Sequence, residues 1–303
     1  MKPHVLENEV WQVGLLPETG MSTGFGRIKR GTAWLDFMRP TPEASYGYPS
    51  DCASFLVIPW SNRLRDARFR FRGKTHDLPS NMRDGTAIHG VARQYPWTVA
   101  RGDIRRLAAS FDSRQHGNIA FPFPFTARAE FRLEGPRFHC DVALRNESRE
   151  PMPAGFGHHP YFQRTLVGEA DTVRLEIPCG EYFELENCLP SAPPVPVEPR
   201  VDFRKMRPLG DVPIDDCLTG REGDAPVRFR YVESGVRVAL EFDPLFGNVV
   251  LYVPPDKTFF AVEPVTNAND GFNLYDRGIA GSGVFVLEPG EEHAASFALK
   301  VET

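Results

Sequence analysis

The sequence predicts a strand-rich, all-β fold with little helix, and three observations carry that expectation. The chain holds 28 prolines and 26 glycines, enough turn formers to interrupt any long regular element. Apolar and polar residues alternate through two well-marked pairs of segments, which is the period of a half-buried strand. No stretch has the apolar spacing of a long amphipathic helix, and no segment repeats at a fixed period. With 303 residues and no visible linker, one domain spanning residues 1–303 is expected, because sandwiches and barrels often exceed about 200 residues as a single unit.

Taken in order, residues 11–37 hold short apolar patches separated by glycines, consistent with opening strands. The run SFLVIPW (residues 54–60) is the apolar kind expected of a strand buried on both faces, and it delivers Ser61, Asn62 and Arg63 at its end. Residues 68–72 (RFRFR) alternate strictly before Gly73 and Lys74, so the phenylalanines face inward and the arginines form a solvated row. Residues 81–97 hold too many turn formers for a regular element. They carry His89 and Arg93 on a polar loop between strands, where binding residues concentrate.

Phe125, Ala127, Ala129, Phe131 and Leu133 share one strand face, and Glu134-Gly135-Pro136 turns the chain. The return puts Phe138, Cys140, Val142 and Leu144 inward. A second hairpin runs through residues 227–232, turns at Ser234-Gly235 and returns through Val236, Val238, Leu240 and Phe242. Residues 189–199 (LPSAPPVPVEP) are too proline-rich for a ladder and are expected as an exposed connection. Adjacent Asp215 and Asp216 precede a Cys-Leu-Thr-Gly turn, and a solvated turn is the commoner use of such a pair.

Two stretches suggest chemistry. In GFGHHPYF (residues 155–162) a histidine pair sits among proline and aromatic residues, where small environmental shifts decide whether an imidazole carries a proton near neutral pH. Residues 258–262 form a buried strand, and Glu263 stands at its end before Pro264. Desolvation there raises a carboxyl pKa toward the range of a base working near pH 7. A packed core histidine and an ion-paired strand-end glutamate are equally consistent with these segments alone.

Composition limits the partners. Hydrophobic residues at 41% and charged residues at 25% are ordinary for a soluble globular protein, and a net charge of −5 leaves no basic footprint for nucleic acid. Residues 1–16 carry charges throughout and no long apolar core, so neither a signal peptide nor a membrane span is expected and the protein is read as cytoplasmic. The five cysteines are odd in number and lack a C-x-x-C pair, which argues against a disulfide framework and against a zinc site.

Six stretches in order resemble the aldose 1-epimerase (galactose mutarotase) family, and more closely its broader bacterial branch. They are LVIPWSNRLRD with FRGKTHDLPSN (residues 56–81), AIHGVARQYPW (87–97), GHHPYF (157–162), IDDCLTG (214–220), LYVPPDKTFFAVEPVTNANDGFNL (251–274) and VLEPGEE (286–292). The resemblance implies a large antiparallel β-sandwich and a small sugar as ligand. It places the catalytic acid at His159 and the base at Glu263, with His158 a mere neighbour. Arg63, His89 and Asp215 would hold the sugar, helped by Asn62, with Arg93, Tyr161 and Trp97 lining the pocket. The implied reaction is interconversion of α and β anomers by acid–base ring opening and reclosure, with no metal or organic cofactor required. Two alternatives keep the same fold: an epimerase of hexose 6-phosphates, suggested by the arginines at 63, 65, 68, 70 and 72, and a carbohydrate-binding protein without catalysis.

Overall fold

The computed structural model describes residues 1–168 and 171–303, and every count below is of those residues. Two large antiparallel sheets carry the chain. The first has nine strands, in the order Thr98–Gly102, Arg106–Asp112, Phe125–Glu134, Arg137–Asn146, Glu292–Glu302, Arg237–Phe242, Val227–Tyr231, Val173–Glu176 and Arg207–Pro208. The second runs Val195–Pro196, Cys179–Tyr182, Ile214–Arg221, Asn248–Val253, Phe259–Val265, Gly157–His158 and Leu56–Val57, with Tyr161–Gln163 also paired to Phe259–Val265. A four-stranded sheet of His4–Glu7, Trp11–Leu16, Ser22–Arg30 and Ala33–Asp36 flanks them.

The two hairpins form in the registers that their alternation requires: Phe131 lies opposite Cys140, and Phe229 opposite Val238. Their inward residues make one face of a shared core, where Phe229 of the nine-stranded sheet meets Phe260 of the other at 5.6 Å between ring centroids. Trp11 closes one end against Phe138 at 5.9 Å, its indole N–H donating to the Pro136 carbonyl. The architecture is thus the antiparallel sandwich that the resemblance implied. The α-helix among the described residues is the short Gly271–Asp276. No helix among the described residues is long and apolar enough to cross a membrane.

Three local readings need correction. Asp215 and Asp216 lie inside strand Ile214–Arg221 rather than at a solvated turn, because the apolar residues around them pair with Asn248–Val253. Glu263 lies within strand Phe259–Val265 rather than at its end. The proline-rich connection is mostly exposed, yet Val195–Pro196 pairs with Tyr182 and Glu181 at the sheet edge, the one place where a missing N–H breaks no ladder. The arginine row behaves as read: Arg68 and Arg70 point outward, while Phe69 and Phe71 are buried. All five cysteines are free, and four of them are buried.

Candidate active site

The second sheet has two unlike faces, and strand alternation decides which residues go to which. Its inner face builds the main core. Its outer face carries a smaller apolar cluster that includes Phe55, Tyr161, Phe183, Cys217, Val250 and Ala261. The histidine pair splits between the two. His158 turns inward, stacks on Phe297 at 4.2 Å and bonds the Ser54 hydroxyl, and burial depresses its pKa to about 3. His159 turns outward.

Pairing then delivers the partner. Gly157 lies opposite Val265 and Tyr161 opposite Ala261, so the position midway, His159, falls opposite Glu263. Their side chains meet at 3.1 Å between Nε2 and Oε1, with 7% and 3% of each exposed. Phe55 and Tyr161 pack against the imidazole at 4.6 and 4.5 Å. The His159 main-chain N–H donates to the Phe55 carbonyl at 2.9 Å.

One strand further on, Val250 sits opposite Glu263 and Tyr252 opposite Asp215, which places Asp215, Tyr252 and Glu263 on the same outer face. Asp216 takes the other face, where Arg200 grips it through two hydrogen bonds of 2.6 and 2.9 Å. Alternation therefore assigns Asp215, and not its neighbour, to the cavity.

The remaining residues come from two loops pinned together. Arg63 pairs with Ile88 across a short ladder, the His89 N–H donates to the Asn62 carbonyl, and the Asn62 N–H donates to His89 Nδ1 at 3.2 Å. That last bond makes Nδ1 the acceptor and leaves Nε2 to carry the proton as a donor. Gly90 follows with φ +65°, and a Cβ there would lie 1.9 Å from the Ile58 carbonyl oxygen. Only a glycine lets the loop seat this closely.

Behind Arg63, residues 267–273 act as a clamp. Ser61 N–H donates to Asn267 Oδ1 at 2.9 Å, Asn267 Nδ2 donates back to the Ser61 carbonyl at 3.2 Å, and the Asp270 N–H donates to the Arg63 carbonyl at 2.7 Å. Asp270 Oδ1 accepts from the Arg65 N–H at 3.0 Å. The segment NANDGFN thus positions the Arg63 strand rather than entering the cavity.

Together these elements enclose a cavity of about 310 Å³, at the small end of ligand pockets. Its lining includes all eight residues expected from the sequence: His159, Glu263, Arg63, His89, Asp215, Asn62, Arg93 and Tyr161. Trp97 does not line it. That ring is buried against Phe111, and its N–H donates to the Ala92 carbonyl, anchoring the turn that carries Arg93. The other arginines of the row do not converge here either. Arg65 is tied to Asp270, Arg68 to Asp77, Arg70 to Asp276 and Arg72 to Glu288. Only Arg63 of that set reaches the cavity, with its Nε 3.2 Å from Asp84.

Ser50, Phe55 and Tyr252 also line the cavity and were not singled out from the sequence. Tyr252 was accessible in principle, by pairing residues 214–221 with 248–253 and following the alternation from Asp215. Ser50 and Phe55 carry no local signal. Among the described residues, no group of three His, Cys, Asp or Glu side chains is arranged to hold a metal ion.

Electrostatics follow from burial. Glu263 is pushed well above the usual carboxyl range by burial, with Asp215 adding to the shift and Arg63 opposing it. His159 is pushed well below its usual value by burial, then by Arg93 and Arg39. Contact favours one proton shared between them, so the pair holds a single proton as imidazolium with carboxylate or as imidazole with carboxylic acid. Burial on its own favours the second arrangement. His89 is likewise driven toward its neutral form, by burial and then by His159. Burial also raises Asp215, with Arg63 opposing.

The sequence model of the aldose 1-epimerase family matches residues 27–300. The uncharacterized protein YphB of Escherichia coli is 23% identical over 284 residues, covering 89% of this chain and 91% of that protein. A galactose mutarotase-like protein from Clostridium acetobutylicum superimposes with a TM-score of 0.88 at 19% identity, over 99% of this chain and 94% of its own. Galactose 1-epimerase from Lactobacillus acidophilus does so with a TM-score of 0.79 at 18% identity, over 98% and 93%. At those identities the structures speak for the fold, while the family match covers nearly the whole chain. This chain belongs to the aldose 1-epimerase family.

Proposed function

We propose that the protein is an aldose 1-epimerase, interconverting the α and β anomers of an aldose whose anomeric hydroxyl is free. The observation that carries this reading is the 3.1 Å contact between His159 Nε2 and Glu263 Oε1 at the floor of a sugar-sized cavity. Anomer exchange needs a base at the C1 hydroxyl and an acid at the ring oxygen, two oxygens bonded to the same carbon. An acid and a base in mutual contact suit such neighbours.

The steps balance in protons. Glu263 carboxylate takes the proton of the C1 hydroxyl while His159 imidazolium gives one to the ring oxygen, so that the C1–O5 bond breaks and C1=O forms. The pair passes from its ionised to its neutral arrangement with no proton exchanged with solvent. After rotation about C1–C2 the C5 hydroxyl attacks the other face of the aldehyde, returns its proton to His159, and Glu263 reprotonates the anomeric oxygen. His89 and Arg63 donate to sugar oxygens, and Asp215 accepts from hydroxyls. Phe55, Tyr161 and Tyr252 cover the apolar face of the ring.

The test is anomer exchange of freshly dissolved aldoses, followed by NMR or polarimetry with the purified protein. Acceleration that disappears in His159→Ala and Glu263→Ala supports the reading. Sugar binding by calorimetry without any acceleration would instead assign the cavity to binding alone.

A further inference from the structure

Asp215 lines the cavity, where a sugar hydroxyl needs an acceptor held in a fixed orientation. Among the described residues, the side chain that donates a hydrogen bond to its carboxylate is Cys188, with Sγ 3.6 Å from Oδ2. Arg63 acts on Asp215 through its charge, but its ion pair is with Asp84. Cys188 is only partly buried and does not itself line the cavity, so it reaches a bound sugar through Asp215.

The turn that carries the thiol shows why this contact matters. Leu185–Glu186 pairs with Leu189–Pro190, which leaves Asn187 and Cys188 as a two-residue hairpin turn. Both have positive φ, +52° and +63°, as in the type I′ turn for which Asn-Gly is the favoured pair. Asn187 fits the first place. At the second the backbone favours glycine, and cysteine takes a Cβ into the left-handed region at a cost. The backbone thus gives no reason for a side chain at residue 188, and the contact that its Sγ makes is with Asp215. The tip is also pinned: Asn269, 1% exposed, donates from Nδ2 to the Cys188 carbonyl at 2.8 Å, and Arg65 reaches the Pro190 carbonyl at 3.5 Å. Asn269 belongs to the segment that clamps Arg63. One segment therefore places both the thiol and the guanidinium that act on Asp215.

We propose that Cys188 is a positioning residue for sugar binding: its thiol orients the Asp215 carboxylate toward the cavity, and the strained turn at residues 187 and 188 is kept for that contact. This rests on the anomer-exchange reading of the same cavity. A thiol is a weak donor, so it fixes the carboxylate while leaving its acceptor capacity to sugar hydroxyls. Those hydroxyls stay bound while the ring opens and closes. The contact therefore serves substrate and transition state alike, and binding of that kind shows in KM rather than in kcat.

The experiment centres on Cys188→Gly, because glycine suits the turn and the variant should fold at least as well as the parent. Its urea midpoint is expected to be unchanged or higher. Its KM should rise about two- to tenfold with kcat little changed, on whichever of glucose, galactose, mannose and xylose the parent accelerates most. Cys188→Ser keeps a donor and is expected to recover part of the loss, which Cys188→Ala does not. The contact is also readable without turnover. The other four cysteines are buried, so iodoacetamide reports on Cys188, whose thiol is held above its ordinary range by burial and then by Asp215. Asp215→Asn removes that charge and is expected to speed alkylation at pH ~8. An unchanged KM in Cys188→Gly, a lowered urea midpoint, or alkylation indifferent to Asp215→Asn overturns the proposal and leaves anomer exchange standing. A parent that accelerates no sugar, while calorimetry shows its sugar binding weakened by Cys188→Gly, overturns anomer exchange alone. A parent that binds no sugar overturns both.

Discussion

His159 and Glu263 lie directly across an antiparallel ladder, and their side chains meet at 3.1 Å in a site from which solvent is nearly excluded. About a hundred residues separate them in the chain. Register closes the distance: the chain that ends in Gly157–His158 and resumes at Tyr161–Gln163 runs along the strand that carries Glu263. Because the two groups act on one proton cycle, each should be as necessary as the other. His159→Gln and Glu263→Gln are each expected to lower kcat for anomer exchange by about 10²–10⁴-fold. The double variant should lose little more, since members of one unit are not additive. Either single variant at full rate in an NMR exchange assay would remove the pair from the mechanism.

The pH profile of kcat/KM follows from the same contact. An isolated carboxyl and imidazole would be active only between their ordinary values, about 4.3 and 6.5. Here burial raises Glu263 and lowers His159, and the contact stabilises the state with one shared proton. Gaining a second proton therefore moves to lower pH, and losing the last one to higher pH. A plateau broader than two independent groups would give is expected, its acid limb moved to lower pH and its alkaline limb to higher pH. A narrow bell between the ordinary values would show that the pair titrates as two independent groups.

Alternation makes much of this legible in the sequence. It oriented both hairpins, turned the arginines of residues 68–72 outward and left His159 and Glu263 in strand-like contexts. All eight residues named for the site share one cavity, although composition and spacing alone did not bring them together; the order of six motifs did. What stayed hidden depends on pairing between distant strands. Asp215 and Asp216 looked like a turn because adjacent carboxylates are rare inside a strand. Only the ladder with residues 248–253 reveals that one faces the cavity and the other faces Arg200. The NANDGFN segment stands in one of the six motifs, and only the fold shows that its bonds go to the main chain around Ser61 and Arg63. Ser50 becomes visible only once Arg93 is seen to reach it.

Asn267 gives that clamp a measurable consequence. Its side chain is fully buried, accepts from the Ser61 N–H and donates to the carbonyls of Ser61 and Ala268. Asn267→Ala strands those groups without partners, at about 1–3 kcal/mol for an unpaired buried group. Urea unfolding should report a loss of that size or more. The variant that folds is expected to show a raised KM, because Arg63 is tethered through the same segment. Unchanged stability would mean that water takes over the hydrogen bonds and that the clamp is not structural.

Gly90 offers a sharper steric test of how His89 is held. Its φ of +65° is costly for any residue with a Cβ, and that Cβ would lie 1.9 Å from the Ile58 carbonyl oxygen. Gly90→Ala must therefore shift the turn away from residue 58. The move disturbs the Asn62 N–H bond that fixes the His89 tautomer. Destabilisation of about 1–3 kcal/mol is expected, together with weaker sugar binding by calorimetry. Native affinity in a folded Gly90→Ala protein would show that His89 does not depend on this close approach.

His158 separates the structural histidine from its neighbour through pH. In the folded protein it is buried, bonded to Ser54 and stacked on Phe297, with its pKa depressed to about 3 by burial. In the unfolded chain a histidine titrates near 6.5. A depressed folded value means that the unfolded chain binds the proton first. The stability that neutral His158 contributes is thus fully present above pH ~6.5 and declines as pH falls through the interval down to about 3, with a slope of up to about 1.4 kcal/mol per unit. His158→Gln removes that titration. Its unfolding free energy should be lower than that of the parent at pH 8, since the Phe297 stack is lost. Between pH 6 and 4 it should fall less steeply by about that slope. Denaturant titrations at a series of pH values measure the difference directly. Because His158 faces the core, its folded variant should keep most of the anomer-exchange rate that His159→Gln loses. Parallel pH curves for parent and variant would mean that His158 is reached by solvent and does not belong to the sealed inner face of the sheet.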